Sequence, residues 1–177
     1  MSEARIWTEK GFVADDPWIT VEAEADLPVE GDIVVPLERF SALSAEFGAG
    51  SREGRNTRRV GVIIAPDDDL GEIADRLEDI SMIALQFPKF SDGRAYSHAA
   101  RLREQFGFTG ELRAVGDVLI DQIPLMKRVG VESFAVSHEP TLKRLSEGRL
   151  PGISRHYQPT ALPAAKVRGY SWRRLPA

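Results

Sequence analysis

An alternation of apolar runs and amphipathic stretches, beginning near residue 59, constrains the fold more than any other feature of this sequence. Four short, largely apolar runs have the composition of strands buried on both faces: residues 60–65, 81–87, 111–115 and 131–136. Four stretches with helical spacing or helix-start signals alternate with them: residues 67–80, residues 94–106, one beginning near Asp121, and one from near Ser137 to about Glu147. Strands and helices joined by short connections predict an α/β fold of parallel βαβ units.

The number of units limits the architecture. Four or five βα units are too few for a closed eight-fold barrel. Two arrangements satisfy the pattern: a partial barrel that wraps like half of a TIM barrel, and an open, doubly wound sheet. A short N-terminal β segment precedes the repeat in either case, and periodicity alone does not choose between them.

Composition divides the 177 residues into four parts. Residues 1–48 combine short strands, turns and a first helix starting at Pro36, and are expected to pack on the main domain. Residues 49–58, rich in Gly, Ser and Arg, are expected to be a flexible connection. The βα-repeat domain spans residues 59–150, and residues 151–177 form an irregular basic tail in which four prolines forbid a long helix.

The net charge of −4 hides an uneven distribution. Residues 1–35 hold nine acids and two bases, whereas residues 148–177 hold six bases and no acid. A basic tail can bind nucleic acid or an acidic partner, but neutralisation of the acidic N-terminal region within the same molecule is the preferred interpretation. No nucleic-acid module accompanies the tail, so no nucleic-acid partner is expected.

Several function classes find no support in the sequence. Without Cys the chain has no disulfide, no thiolate nucleophile and no Cys-held metal or iron–sulfur cluster. The three histidines lack HxH or HExxH spacing, and no P-loop, GxSxG elbow or GxGxxG fingerprint occurs. No metal or cofactor is therefore expected, and no catalytic residue is identified. No apolar run approaches the length that spans a bilayer, so a cytoplasmic protein without a membrane partner is expected.

Polar residues collect after the predicted strands, where α/β proteins build their sites. The connection of residues 88–94 is the richest, because it carries two cations, a hydroxyl and a carboxylate before a helix start. It is either an oxyanion site or a simple helix cap in which Ser91 or Asp92 caps and Gly93 turns. The candidate substrate- or partner-binding residues are Lys89, Ser91, Asp92, Arg94, Tyr96, Arg113, Asp117, Asp121 and Gln122.

Glu111 and Arg113 are two apart in a predicted strand, so they share one of its faces. Burial of charge is costly unless it is paired. They either form a structural pair, which is the favoured interpretation, or reach the carboxylates after the strands, or lie in a polar pocket.

Residues 87–136 resemble a bacterial family of unknown function. The resemblance rests on the elements FP-F-DGR-YS, LR-GF-GE-RA and GD---DQ, with looser matches at DDPW, VVPLERF and HYQP, so that about residues 5–160 are covered. Members are commonly described as oxidoreductases involved in sulfite reduction, and their genes often adjoin those for sulfite reductase. Pro124 and the basic tail depart from the family pattern.

The resemblance implies a role in sulfur assimilation, and three classes of function compete. An accessory protein that binds sulfite reductase or its electron donor is favoured, because the chain has no Cys to hold sirohaem or an iron–sulfur cluster and no visible nucleotide-binding loop. The alternatives are a small oxidoreductase, flavin- or nicotinamide-dependent, and a carrier or sensor of a small oxyanion. A homodimer is also left open by the sequence.

Overall fold

The computed structural model describes residues 4–46 and 58–152. Eight strands are present in the described part: β1 (Arg5–Thr8), β2 (Gly11–Phe12), β3 (Trp18–Thr20), β4 (Asp32–Pro36), β5 (Val60–Ile64), β6 (Met82–Phe87), β7 (Glu111–Gly116) and β8 (Ser133–Val136). The helices are α1 (Leu37–Glu46), a 3₁₀ helix (Leu70–Asp79), α2 (Arg94–Glu104), α3 (Ile123–Arg128) and α4 (Glu139–Ser146).

All eight strands belong to one sheet, in the order β2-β1-β8-β7-β6-β5-β4-β3. Strands β3 to β8 are parallel and follow each other in chain order, whereas β1 runs antiparallel to both β2 and β8. The sheet curls into a half-barrel. The α/β fold with parallel βαβ units and an N-terminal strand segment is thus confirmed, and of the two predicted architectures the partial barrel is the one adopted.

The helices cover one face of the sheet, which is why the fold is not doubly wound. In β6, Ile83, Leu85 and Phe87 point into the main core together with the buried faces of the helices. Met82 and Ala84 alternate onto the other face, where, within residues 4–46 and 58–152, they pack with strand residues only, Val34 among them. We call this second surface the helix-free face. The near-continuous apolar strands of the sequence follow from burial on both sides.

The described residues form as many helices as the sequence pattern predicts, but some of them begin at other residues. The stretch predicted over residues 67–80 is a 3₁₀ helix from Leu70, which fits buried side chains at Leu70 and Ile73, three residues apart. The third helix has Gln122 rather than Asp121 as its N-cap residue, and the fourth has His138 rather than Ser137. Neither N-cap side chain accepts a hydrogen bond from the first turn of its helix, so these two helices start without the side-chain capping on which the prediction was based.

Two expectations fall largely outside the described residues. Most of the predicted connection, residues 49–57, and most of the basic tail, from residue 153, lie beyond the described ranges. Within residues 4–46 and 58–152, no helix has both the length and the apolar character needed to cross a bilayer.

Candidate functional site

The connections after the parallel strands, with the first residue of the helix after β6 and after β8, form what we call the C-terminal face, which comprises residues 65–69, 88–94, 117–122 and 137–139. The connection after β6 is fixed by its neighbours. The N–H of Phe90 donates to Asp117 Oδ2 at 3.0 Å, and the carbonyl of Phe90 accepts from Gln122 Nε2 at 2.6 Å. Both backbone groups of Phe90 are therefore held, while its side chain remains exposed (64%).

Arg94 lies at the start of α2 between two carboxylates. Its Nε and one terminal nitrogen donate to Asp92, the latter at 2.8 Å, and the other terminal nitrogen is paired with Asp67. The Arg94 side chain, through hydrogen bonding above all, lowers the pKa of Asp92 to about 2. Asp92 also accepts from the Arg94 N–H, which gives it part of the capping role considered above. The guanidinium is thus paired with two carboxylates, and about half of the side chain (52%) remains exposed.

The C-terminal face is acidic. Residues 66–69 contain three acids, residues 88–94 one, residues 117–122 two and residues 137–139 one, against only Lys89 and Arg94 as bases. Tyr96 lies half-buried beside this surface, with its ring edge-on to Phe87 at 5.3 Å. Burial, assisted by the charge of Asp121, raises the pKa of Tyr96. The field at this surface favours cations rather than oxyanions.

Of the nine candidate residues, eight lie in or beside the connection after β6. The contacts described above bring Asp92, Arg94, Tyr96, Asp117, Asp121 and Gln122 around it, and Lys89 and Ser91 are exposed within it. The exception is Arg113. Its side chain lies on the helix-free face, where it binds Asp16, Glu111 and Ser133 instead.

Arg113 is the centre of a buried ion network. Its terminal nitrogens donate to both carboxylate oxygens of Asp16 at 2.6 and 2.9 Å. Its Nε donates to Glu111 at 3.0 Å and to Ser133 at 3.2 Å. The Arg113 side chain is only 8% exposed. Burial opposes its charge, but Asp16 and Glu111 outweigh that effect and raise the pKa of Arg113. The predicted Glu111–Arg113 pair is therefore present.

This network forms part of the lining of a cavity of about 530 Å³, which we call the N-terminal pocket. It lies at the opposite end of the sheet, since Trp18, Glu111 and Ser133 each begin a parallel strand. Its walls are formed by the β1–β2 hairpin, the segment of residues 16–18 and the connection that precedes β8. Pockets that hold small ligands commonly have about 300–1,000 Å³.

Sequence reasoning missed Phe90 as a site residue. It left open a polar pocket around Glu111 and Arg113, but it did not predict the other residues that line the N-terminal pocket. An aromatic residue between Lys89 and Ser91 was a usable signal, because exposed aromatics are enriched at interfaces. Asp16 gave no such signal, since Asp15-Asp16-Pro17 has the composition of a turn. Its partner Arg113 is 97 residues away in the chain. In the part of the chain that is described, no three His, Cys, Asp or Glu side chains are grouped so as to hold a metal ion.

The amino-acid sequence matches one family of bacterial proteins. The family described as "Bacterial protein of unknown function (DUF934)" matches residues 61–166, more than half of the chain. The chain belongs to the DUF934 family. In this DUF934 protein the matched region contains β5 from its second residue, β6 to β8 and the helices between and after them. It also contains the connection of Phe90 and the Arg113 network, apart from Asp16. No curated protein matches the sequence.

Proposed function

We propose that this DUF934 protein is a cytoplasmic accessory protein of assimilatory sulfite reduction, which docks on sulfite reductase or its electron donor through the C-terminal face. The observation that carries the docking role is Phe90, an exposed aromatic ring whose backbone is fixed by Asp117 and Gln122. Interfaces concentrate their binding energy in few residues, and aromatic anchors are prominent among them. The link to sulfite rests on the family resemblance of the sequence.

Pre-organisation supports docking at this position. An aromatic side chain on a loose loop would lose conformational entropy when a partner binds. Here two hydrogen bonds already fix the loop in the free protein, one of them to the charged Asp117. The partner therefore meets an ordered anchor, and less of the contact energy is lost to ordering.

The charge of the C-terminal face specifies the partner surface. Acids outnumber bases there, so a complementary partner presents Lys and Arg around an apolar recess for Phe90. Long-range attraction between the two surfaces would speed encounter and would weaken as salt rises.

The same geometry argues against an oxyanion site at this face. Arg94 is paired with Asp67 and Asp92, so an anion that approached its half-exposed guanidinium would lie beside two carboxylates. Like-charge repulsion opposes that approach. Docking is therefore the function that the geometry of this face favours.

The test is binding of the purified full-length protein to sulfite reductase of the same organism, and to its electron donor, measured by surface plasmon resonance at low and high salt. Phe90→Ala should weaken the complex about thirtyfold, as expected for a hot-spot residue. Val29→Ala is the matched control, because Val29 is 95% exposed and lies outside the C-terminal face.

Three outcomes would contradict the proposal. Neither protein binds; or Phe90→Ala binds as tightly as the native chain; or the purified protein carries stoichiometric flavin, which would favour the oxidoreductase alternative. In a deletion strain, the native gene but not the Phe90→Ala gene should restore growth on sulfate, and both strains should grow equally on cysteine.

A further inference from the structure

The N-terminal pocket offers hydrogen-bond acceptors at its floor. Arg113 and Ser133, which are among the most buried polar residues, define that floor. The guanidinium donates from Nε and from both terminal nitrogens, and the Ser133 hydroxyl donates to Glu111 Oε1. These donors are therefore engaged within the protein.

The acceptors of the same network retain capacity. Glu111 Oε1 takes the bonds from Arg113 and Ser133, while Glu111 Oε2 accepts no hydrogen bond from the described residues. Each oxygen of Asp16 accepts one bond from Arg113 and keeps a second lone pair. The carboxylates are 31% and 23% exposed, so they are accessible from the cavity. With two carboxylates and one guanidinium, the floor has an excess of one negative charge.

The walls and the rim have a different chemistry. Trp18 and Val13 provide apolar surface, and the Arg59 guanidinium lies over the Trp18 ring, 5.0 Å from its centroid. At the rim, Lys127 is paired with Glu9, whereas the exposed Lys10 makes no ion pair with any described residue. Glu132 also lines the pocket and is paired with Arg103. A ligand in the pocket would thus meet an anionic floor, an apolar wall and, at the rim, one lysine without an ion pair to a described residue.

We propose that the N-terminal pocket binds a small zwitterion of the amino-acid class with an apolar side chain. Its ammonium group donates to Glu111 and Asp16, its apolar part lies against Trp18, and its carboxylate lies toward Lys10. An inorganic oxyanion does not suit the floor, because it would lie against two carboxylates whose combined charge exceeds that of Arg113. This site is separate from the docking face and does not depend on the proposed function.

The test is isothermal titration calorimetry of the full-length protein with three matched probes: L-leucine, isoamylamine and 4-methylpentanoate. Isoamylamine keeps only the ammonium group of leucine, and 4-methylpentanoate keeps only its carboxylate. Leucine should bind most tightly, isoamylamine within about tenfold of it, and 4-methylpentanoate at least about tenfold more weakly than isoamylamine, as a charge-assisted hydrogen bond predicts. Equal or tighter binding of 4-methylpentanoate than of isoamylamine overturns the proposal. So does the absence of an isotherm for all three up to roughly 10 mM.

Variants separate the floor from the rim. Glu111→Gln removes the charge with little change in size and should weaken leucine and isoamylamine at least about tenfold. Lys10→Ala should weaken leucine only. Glu72→Gln, an exposed carboxylate on the 3₁₀ helix away from the pocket, is the control and should change neither. Loss of both ligands in the control as well would exclude a specific site.

Glu111→Gln could fail to fold, because Glu111 belongs to the buried network. Val13→Phe covers that case, since Val13 lines the pocket, is 38% exposed and takes no part in the network. The larger side chain should occupy the cavity and abolish leucine binding with an unchanged melting temperature. Unchanged leucine binding in Val13→Phe places the ligand elsewhere and refutes the proposal. Phe90→Ala should bind leucine normally, so failure of the docking proposal would leave this one intact.

Discussion

Gly116, the last residue of β7, controls the geometry of the C-terminal face. Its φ is +97°, and an added Cβ would lie 2.4 Å from the carbonyl oxygen of Phe87, where real Cβ atoms essentially never come within 3.0 Å. The same carbonyl accepts a hydrogen bond of 2.7 Å from the N–H of Asp117, the residue that holds the Phe90 connection. Gly116→Ala should therefore disturb both the backbone and the candidate site.

The expected loss of stability can be worked out from three contributions. A left-handed backbone costs a non-glycine residue about 1–2 kcal/mol. Loss of the Asp117–Phe87 hydrogen bond costs about 1 kcal/mol more. Reduced entropy of the unfolded chain returns about 0.4–1 kcal/mol. With the steric shift included, Gly116→Ala should lower the free energy of unfolding by about 2–3 kcal/mol and the melting temperature by roughly 5–10 °C.

Urea unfolding followed by circular dichroism measures this loss. Gly93→Ala is the control, because Gly93 has φ −87° and a Cβ there would meet nothing within 4 Å. Its free energy of unfolding should stay within about 0.5 kcal/mol of the native value. A loss below about 0.5 kcal/mol for Gly116→Ala, or an equal loss for the two variants, would refute the reasoning.

Two further predictions concern charged groups. In a ¹³C NMR titration the pKa of the Asp92 carboxyl should lie near 2, and in Arg94→Gln it should rise toward the ordinary value of 3.8, with the backbone N–H of residue 94 still lowering it. Because the pKa of Asp92 is depressed in the folded state, the pair stabilises the fold above pH 3.8 and loses that effect as pH falls toward 2; a native midpoint near 4 would contradict the pairing. Arg103 donates to three backbone carbonyls and is mostly buried, so Arg103→Met should lower the free energy of unfolding by roughly 2–4 kcal/mol in urea, and a loss below about 1 kcal/mol would be inconsistent with that role.

The sequence predicted the parallel strands well because their signal is local. Burial on both faces makes each run apolar, and β5 to β8 lie within or close to the four predicted runs. The place of β1 in the sheet has no such signal. Its register pairs Arg5 with Val136, and nothing in the composition of either segment indicates the other. The choice of a half-barrel likewise depends on which face each helix covers, which periodicity does not encode.

In the candidate site, too, the parts with a local sequence signal were predicted and the contacts between distant residues were not. The connection of residues 88–94 was predicted because its position after a parallel strand is itself informative. The prediction that Arg113 lies beside that connection was wrong. Arg113 is three residues before the end of β7, and the alternation of side chains along the strand puts it on the helix-free face with Glu111. The acceptor that holds it, Asp16, comes from a turn near the start of the chain. Contacts between residues so distant in sequence leave no pattern in spacing.

The pairing of β1 with β8 has a consequence for synthesis of the protein. Strands β3 to β7 leave the ribosome in the order in which they pair, so each new strand finds its neighbour already made. The β1–β2 hairpin is made first but must wait for residues 133–136 before it gains its place in the sheet. Until then the nascent chain presents two more unpaired strand edges than the finished sheet, those of β1 and β7, and chains aggregate on such edges. Completion of β8 thus removes two hazards at once, and translation pauses before residue 133 should be especially harmful to the yield of folded protein.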